Sequence, residues 1–437
     1  MFETTHEANG ADGTRNRLTP GSMDAIRRRV AEFVEEKGNV RGYEITRDFG
    51  TVIVTSDVHA DLRKMVQLLV DTKLVRIVGE PGDIYEDVWN VEWIAGDTLF
   101  VILGDLVDGK RGRRTVTDPR GSYELLIHVL LFNFRIRARE LGSDVLFTIG
   151  NHDMFSVMLP KYVRKWPMYT ADTHLAFAPE PVHEPDDVAE PATPWEQRAA
   201  MLELFYLCSP YLLIRLGSVL LMHGGLLGAD SRPRGATGSC IFDETKRAQS
   251  AIHAAMVRSN DMGLGMRGVK RALRRYMART RKRCRDNITE ARGYGVHSEE
   301  HICAAEETRG LAADGVQLVV AGHCLTRKTP HVRHTECKTD ERGDSEVGCV
   351  AYFQCNGGPT IALVDVALSE CFRSRGGERR HASRLVEVLK LRIVEEGTEN
   401  EGDVYVTGAG KDTLYKLSVH KPSRTTSKSK HMFDQHV

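Results

Sequence analysis

Short, nearly continuous apolar runs recur along the chain at residues 51–56 (TVIVTS), 99–103 (LFVIL), 145–149 (VLFTI), 219–222 (VLLM), 317–321 (QLVVA), 350–354 (VAYFQ) and 360–364 (TIALV). Their length and β-branched content predict strands, and the lack of apolar/polar alternation predicts burial on both faces. Helical spacing lies between them, at 62–71 and 121–141. Upstream, Ser22 as N-cap and Gly38 as a stop predict a helix over 22–37. Residues 195–208 carry Leu202, Phe205 and Tyr206 on one stripe, the pattern of a helix packed on a core. Strands alternating with helices predict an α/β architecture around a buried sheet system.

Other stretches break this rhythm. Residues 1–20 are polar, 179–194 are rich in Pro, Glu and Asp, and the tail from 421 is polar and basic. Low apolar content predicts disorder at both ends and a surface loop in the middle. Residues 267–285 hold ten Lys/Arg in nineteen positions, with Tyr276 as their one aromatic residue. A basic helix with a solvated face fits better than a nucleic-acid surface, which would interleave more aromatics. The expected organisation is an N-terminal extension over 1–45 and a single large domain over 46–400 with insertions near 160–210 and 230–290. A C-terminal extension would occupy 401–437. No repeat of 20–50 residues is present.

The 437 residues carry 60 Lys+Arg against 60 Asp+Glu, so no overall charge draws the chain to nucleic acid or anionic lipid. The best membrane-span candidate, 211–222, is interrupted by Arg215 and Gly217 and falls short of the ~18 apolar residues a span requires. The polar, mixed-charge start does not resemble a secretory signal. Cysteines stand at 208, 240, 284, 303, 324, 337, 349, 355 and 371, with no C-x-x-C pair. An odd, scattered set predicts free thiols in a reducing, cytoplasmic compartment.

The residues just after the apolar runs carry the chemistry. The first run ends in Asp57-Val58-His59, the second in Gly104-Asp105-Leu106-Val107-Asp108, and the third in Gly150-Asn151-His152-Asp153. His223-Gly224-Gly225 and Gly322-His323 close the next two. Each alone reads as turn chemistry. Five strands delivering Asp, Asn or His at the same end is a different matter, because that edge of an α/β sheet is where ligands bind. Carboxylate, amide oxygen and imidazole suit divalent first-row metals, and two such ions sharing a carboxylate suit phosphoryl hydrolysis.

The five motifs, in this order, resemble those of the calcineurin-like metallophosphoesterases over about 51–368, and their form is closest to the phosphoprotein phosphatase branch. That branch includes protein Ser/Thr phosphatases and symmetrical dinucleoside tetraphosphatases. The resemblance implies a two-sheet β-sandwich flanked by helices. It implies two divalent ions, with Mn expected and Fe, Zn or Ni as alternatives. Asp57 and His59 would bind the first, Asp105 would bridge, and Asn151, His223 and His323 would complete the second. His152, oriented by Asp108, would protonate the leaving group as a metal-activated hydroxide attacks phosphorus.

Departures from the family pattern are specific. The Arg that usually follows the second Asp of the second motif is replaced by Gly109, so a phosphate clamp must come from elsewhere. Arg292, in Glu290-Ala291-Arg292-Gly293-Tyr294, resembles a second phosphate-binding stretch without its Trp; Arg111, with Arg113 and Arg114, is the weaker candidate. Asp153 stands where many relatives have Glu. No second His follows His323, which favours phosphatases over phosphodiesterases. Residues 93–98 (WIAGDT), before the second motif, resemble enzymes of large DNA viruses. The expected substrate is a phosphomonoester on protein, with a dinucleoside polyphosphate or other nucleotide as the alternative. A metal-binding scaffold weakened by the missing Arg is the non-enzymatic reading. Oligomeric state is open.

Overall fold

The computed structural model describes residues 25, 28–34, 43–47, 49–78, 90–111, 114–115, 123–159, 194–228, 240–258, 262–284, 286–325, 333–334 and 350–365. Three further strands lie at 387–391, 404–408 and 415–417. The 1–20 stretch, the 179–193 loop and the tail from 421 lie outside the described residues, as do Ser22 and Gly38; residues 28–34 are helical.

Two six-stranded sheets face each other. The first runs β16 (Tyr415–Leu417), β15 (Val404–Gly408), β14 (Glu387–Leu391), β1 (Thr51–Thr55), β4 (Thr98–Ile102) and β7 (Asp144–Phe147). The second runs β11 (Arg333–His334), β12 (Ala351–Gln354), β13 (Thr360–Asp365), β10 (Leu318–Leu325), β9 (Val219–Met222) and β8 (Leu213–Leu216). Within them β1, β4 and β7 are parallel, and so are β9, β10 and β13. Two short antiparallel pairs stand apart, β2 (Val75–Ile77) with β3 (Val91–Trp93) and β5 (Lys110–Arg111) with β6 (Arg114–Thr115). This is a two-sheet sandwich flanked by helices, the architecture that the resemblance implies.

Alternate residues of each central strand explain the unbroken apolar runs. Val52, Val54, Leu99 and Val101 meet Ile214, Leu221, Leu318, Val320, Ala362 and Val364 between the sheets. The intervening Ile53, Phe100, Ile102, Val145 and Phe147 face outward into a second core. That core is closed by helices α1 (Leu62–Asp71) and α2 (Tyr123–Glu140), through residues such as Met65, Leu69, Ile127 and Leu131. Each such side chain contributes roughly 1.5–3 kcal/mol of transfer free energy on burial. Asp61 caps α1 by accepting from the Lys64 amide at 3.1 Å.

Helices α3 (Asn151–Met158), α4 (Pro194–Cys208), α5 (Cys240–Val257) and α6 (Met262–Arg283) also belong to the frame, with short helices at Gly293–Val296, Glu299–Ala304 and Glu306–Ala313. The α6 helix is the expected basic segment. Its apolar stripe, Val269, Leu273 and Tyr276, is buried, while Arg267, Arg271, Arg274, Arg275, Arg281 and Lys282 are exposed. Arg283 pairs with buried Glu244 of α5 at 2.7 Å.

Two expectations need correction. The run at 317–321 does not end at the Gly-His motif. β10 continues through it to Leu325, with a register shift against β13 between Ala321 and Leu325 that seats His323 in a left-handed bulge. The cysteines are not all thiols either. Cys240 is bonded to Cys284 across the α5/α6 hairpin and Cys303 to Cys355, with Cα separations of 5.6 and 5.1 Å. Both pairs are more than forty residues apart in sequence, so only the fold makes them neighbours. The ground for expecting a reducing compartment is thereby removed for these four; Cys208 and Cys324 remain thiols. No helix among the described residues is long and apolar enough to cross a membrane.

His128 of α2 is buried against Phe205 and Tyr206, and its Nδ1 donates to the Glu124 carbonyl at 2.6 Å. Burial, with the Arg198 charge assisting, pushes its pKa down to about 4. The unfolded chain, with an ordinary histidine near 6.5, therefore binds more protons in the window between those values. Stability is accordingly lost as pH falls from 6.5 towards 4. Urea unfolding at pH 7 and pH 5 should show about 2 kcal/mol of extra loss in the native chain relative to His128→Leu; parallel pH dependences would refute it.

Candidate metal centre

Turns after parallel strands bring the polar motifs together from both sheets. Asp57 and His59 follow β1, Asp105 and Asp108 follow β4, Asn151 and His152 open α3 just past β7, and His223 follows β9. His323 comes from the β10 bulge. Ligand-type atoms of Asp57, Asp105, His223 and His323 all lie within 4.8 Å of one another. The Nε2 of His59 is 3.7 Å from Asp57 Oδ1 and 3.7 Å from Asp105 Oδ2. The Nε2 of His223 lies 3.4 Å from Asp105 Oδ2 and 3.1 Å from Asn151 Oδ1. His152 presents Nε2 at 3.9 Å from Asp105 Oδ2 and places Nδ1 2.7 Å from Asp108 Oδ2.

The backbone beneath these groups is unusual. Asp57, His59, Ala60, Asp105, Asp108 and His323 all have positive φ, between 44° and 71°. Left-handed geometry costs an L-residue on the order of 1–2 kcal/mol. Here it is over-determined by hydrogen bonds. The amides of Asp57, His59 and Ala60 donate to the carbonyls of Gly104, Asp105 and Leu106 at 3.2, 2.8 and 2.9 Å, lashing the first turn to the second. Asp153 accepts from the amides of Asp105, Leu106 and Gly150 at 2.7, 3.1 and 2.9 Å. The His152 amide donates to Asp105 Oδ1 and the His323 amide to Asp57 Oδ2, each at 2.9 Å.

Two imidazoles are oriented the same way. His59 Nδ1 faces the Val107 carbonyl at 3.2 Å and His223 Nδ1 the Leu103 carbonyl at 2.5 Å. A carbonyl only accepts, so Nδ1 carries the hydrogen and Nε2 is the atom turned to the centre. Burial, the largest single influence, opposes ionisation of Asp57 and Asp105, but His223 together with His59, and for Asp105 also His152, holds both below the ordinary carboxylate range. Burial likewise opposes charge on His223, yet Asp105 and Asp57 raise its pKa to about 10. Burial and the His223 charge press His323 down to about 3, a neutral donor. Asp153 is raised to about 6 by burial and by Asp105. Buried carboxylates ringed by imidazoles and an amide oxygen fit borderline divalent cations, with no soft ligand among them.

The structure therefore draws together Asp57, His59, Asp105, Asn151, His223, His323, His152 and Asp108. Arg292 also reaches the centre: exposed, it donates its Nε to His323 Nε2 at 2.9 Å. Arg111 lies in β5, and its side chain is outside the described residues, as is all of Arg113. Three further residues, to which the resemblance gives no role, also shape the centre: Asp153, Ser56, whose hydroxyl bonds Asp57 Oδ2, and Glu124, which accepts from the Asp108 amide at 2.7 Å. For Asp153 the signal was its place two residues past Asn151 at a helix start, where a carboxylate finds backbone amides. Glu124 had none, because its contact depends on how α2 packs.

Gly150 sits so close to Asp105 that an added Cβ would run into its carboxylate. Gly150→Ala should therefore displace the carboxylate and weaken uptake of divalent metal at least tenfold in a chain that remains folded by circular dichroism. Unchanged metal content by elemental analysis would contradict that crowding.

Against known proteins, residues 50–324 match the family model of the calcineurin-like phosphoesterases. A 108-residue stretch, 25% of this chain, is 28% identical to Shewanella-like protein phosphatase 1 of Plasmodium berghei (strain Anka) and spans only 24% of that protein. Among solved structures, a mutant cold-active protein tyrosine phosphatase is similar with a TM-score of 0.50 and 17% identity, over 88% of this chain and 84% of its own. A protein serine/threonine phosphatase of Saccharomyces cerevisiae has a TM-score of 0.35 and 11% identity, over 92% of this chain and 91% of its own. With the family model covering most of the chain, the protein belongs to the calcineurin-like phosphoesterases, hydrolases acting on phosphoric ester bonds.

Proposed function

We propose that the chain is a phosphomonoesterase dependent on two divalent metal ions and acting on phosphorylated protein, with phosphoserine or phosphothreonine as the preferred group. The observation that carries this reading is the His152–Asp108 contact of 2.7 Å beside the buried cluster, with the opposite His152 nitrogen turned inward, 3.9 Å from Asp105. When bound, the ions would supply Lewis acidity, making water nucleophilic at neutral pH and neutralising phosphoryl oxygens. Asp57, His59 and Asp105 would hold one, and Asp105, Asn151, His223 and His323 the other. Manganese is the proposed occupant, with iron, zinc and nickel as alternatives.

The chain's own groups do the rest. Asp108 fixes the His152 tautomer with hydrogen on Nδ1 and supports the positive ring. Nε2–H then gives its proton to the oxygen that leaves with the alcohol. Arg292, exposed beside His323, offers a guanidinium to the phosphoryl oxygens and so replaces the arginine missing at position 109. A protein substrate is supported by the resemblance of the motifs to the phosphoprotein phosphatases and by the name of the Plasmodium relative. Cleavage of dinucleoside polyphosphates is the second reading, since the same centre would serve it.

With p-nitrophenyl phosphate and added Mn, turnover should exceed that with bis-p-nitrophenyl phosphate and vanish in Asp105→Asn, while a preference for the diester would overturn the monoesterase reading. His152→Ala should lose about 100-fold or more in kcat on phosphoserine peptide and keep its metals; lost metals would instead make His152 a ligand. Arg292→Ala should lower kcat/KM about tenfold or more without metal loss. Phosphoserine, phosphothreonine and phosphotyrosine peptides against diadenosine tetraphosphate then decide the substrate class.

A further inference from the structure

Behind the general-acid pair lies a second, buried pair of opposite charges. Glu124, in the first turn of α2, accepts from the Asp108 backbone amide through Oε1 at 2.7 Å. Its other oxygen accepts from Arg198 Nε of α4 at 2.8 Å. Glu124 is 3% and Arg198 1% exposed, so neither can meet a substrate. Asp108, at φ 71°, has the largest positive φ among the described non-glycine residues, and it is 1% exposed.

A buried ion pair is a poor device for stability, because an apolar pair of similar volume often serves as well. Its placement points to another use. The amide that Glu124 holds belongs to the residue whose carboxylate lies 2.7 Å from His152. A rotation of that peptide towards ordinary geometry would swing the Asp108 side chain away from the ring. The Arg198 guanidinium fixes the Glu124 carboxylate so that one oxygen stays on the Asp108 amide. The two charges also tie α4 to the turn after β4, elements far apart in sequence.

We propose that Glu124 and Arg198 are a positioning pair that locks Asp108 in its left-handed conformation and thereby aims His152 at the leaving group. The idea rests on the general-acid reading of His152, and its signature is dependence on the leaving group. An acid matters greatly for a serine alkoxide and little for p-nitrophenolate, which departs without a proton.

The test uses the full chain with its metals, comparing phosphoserine peptide with p-nitrophenyl phosphate. The variants are Glu124→Leu/Arg198→Leu, His152→Ala and the polar pair Glu124→Gln/Arg198→Gln. The leucine pair should retain both metals and its KM. It should lose about tenfold in kcat on the peptide and under about twofold on p-nitrophenyl phosphate, a weaker copy of the ~100-fold loss a missing acid brings. The glutamine pair, with an oxygen still facing the Asp108 amide, should recover most of the loss. If the leucine pair does not fold, Glu124→Met/Arg198→Met fills the same space with unbranched chains and carries the comparison. Selective loss in His152→Ala with equal loss on both substrates in the apolar pair, or none, overturns the positioning role alone. Equal losses on both substrates in His152→Ala overturn the acid reading and the proposal together.

Discussion

The carboxylate of Asp105 is the point on which the rest of this structure turns. It faces the imidazoles of His59, His152 and His223 at 3.7, 3.9 and 3.4 Å, while its other oxygen accepts from the His152 amide. A buried carboxylate survives only where positive or proton-donating groups offset its lost hydration. Here those groups come from three separate turns. Asp105 cannot be satisfied unless the ends of β1, β4 and β7 in one sheet meet the end of β9 in the other, so the charge constraint and the strand topology impose the same arrangement.

That arrangement carries strain, and the sheets bear it. Left-handed residues at Asp57, His59, Asp105, Asp108 and His323 would relax in an isolated loop. They persist because the strands feeding them are buried on both faces, and because cross-turn hydrogen bonds leave the backbone little alternative. Asp153 shows how close the design runs: one carboxylate answers three amides, two of them in the Asp105 turn. Its raised pKa, near 6, comes first from its burial and then from the second buried acid beside it. Rigidity of this kind suits a site whose side chains would hold divalent metal ions.

Outside the centre, the molecule uses charge in a more ordinary way. The exposed arginines of α6 leave its apolar stripe free to pack, and several of its cations lie against carboxylates of neighbouring helices, such as Lys270 with Glu203 and Arg283 with Glu244. The disulfide between Cys240 and Cys284 closes this hairpin at its base, eight residues before Arg292. The hairpin thus delivers an arginine to the rim of a site whose nearer loop has glycine in the usual arginine position.

Local pattern was enough to announce most of this. Unbroken apolar runs marked strands with two buried faces, and Asp, Asn or His after five of them marked a common edge, because period and turn chemistry are written over a few residues. The ligand-type residues were therefore legible from Asp57 to His323. Other features depend on distant segments meeting. Glu124 and Arg198 are 74 residues apart and look like ordinary helix charges until α2 and α4 pack. Cys303 and Cys355 look like thiols until the fold brings their Cα atoms to 5.1 Å. The β10 bulge at His323 arises from a register shift against β13, which no reading of one strand contains. Sequence carries the chemistry each residue can perform; tertiary structure alone decides which groups are close enough to share a charge, a proton or a bond, since those forces act over a few ångströms of space and not along the chain.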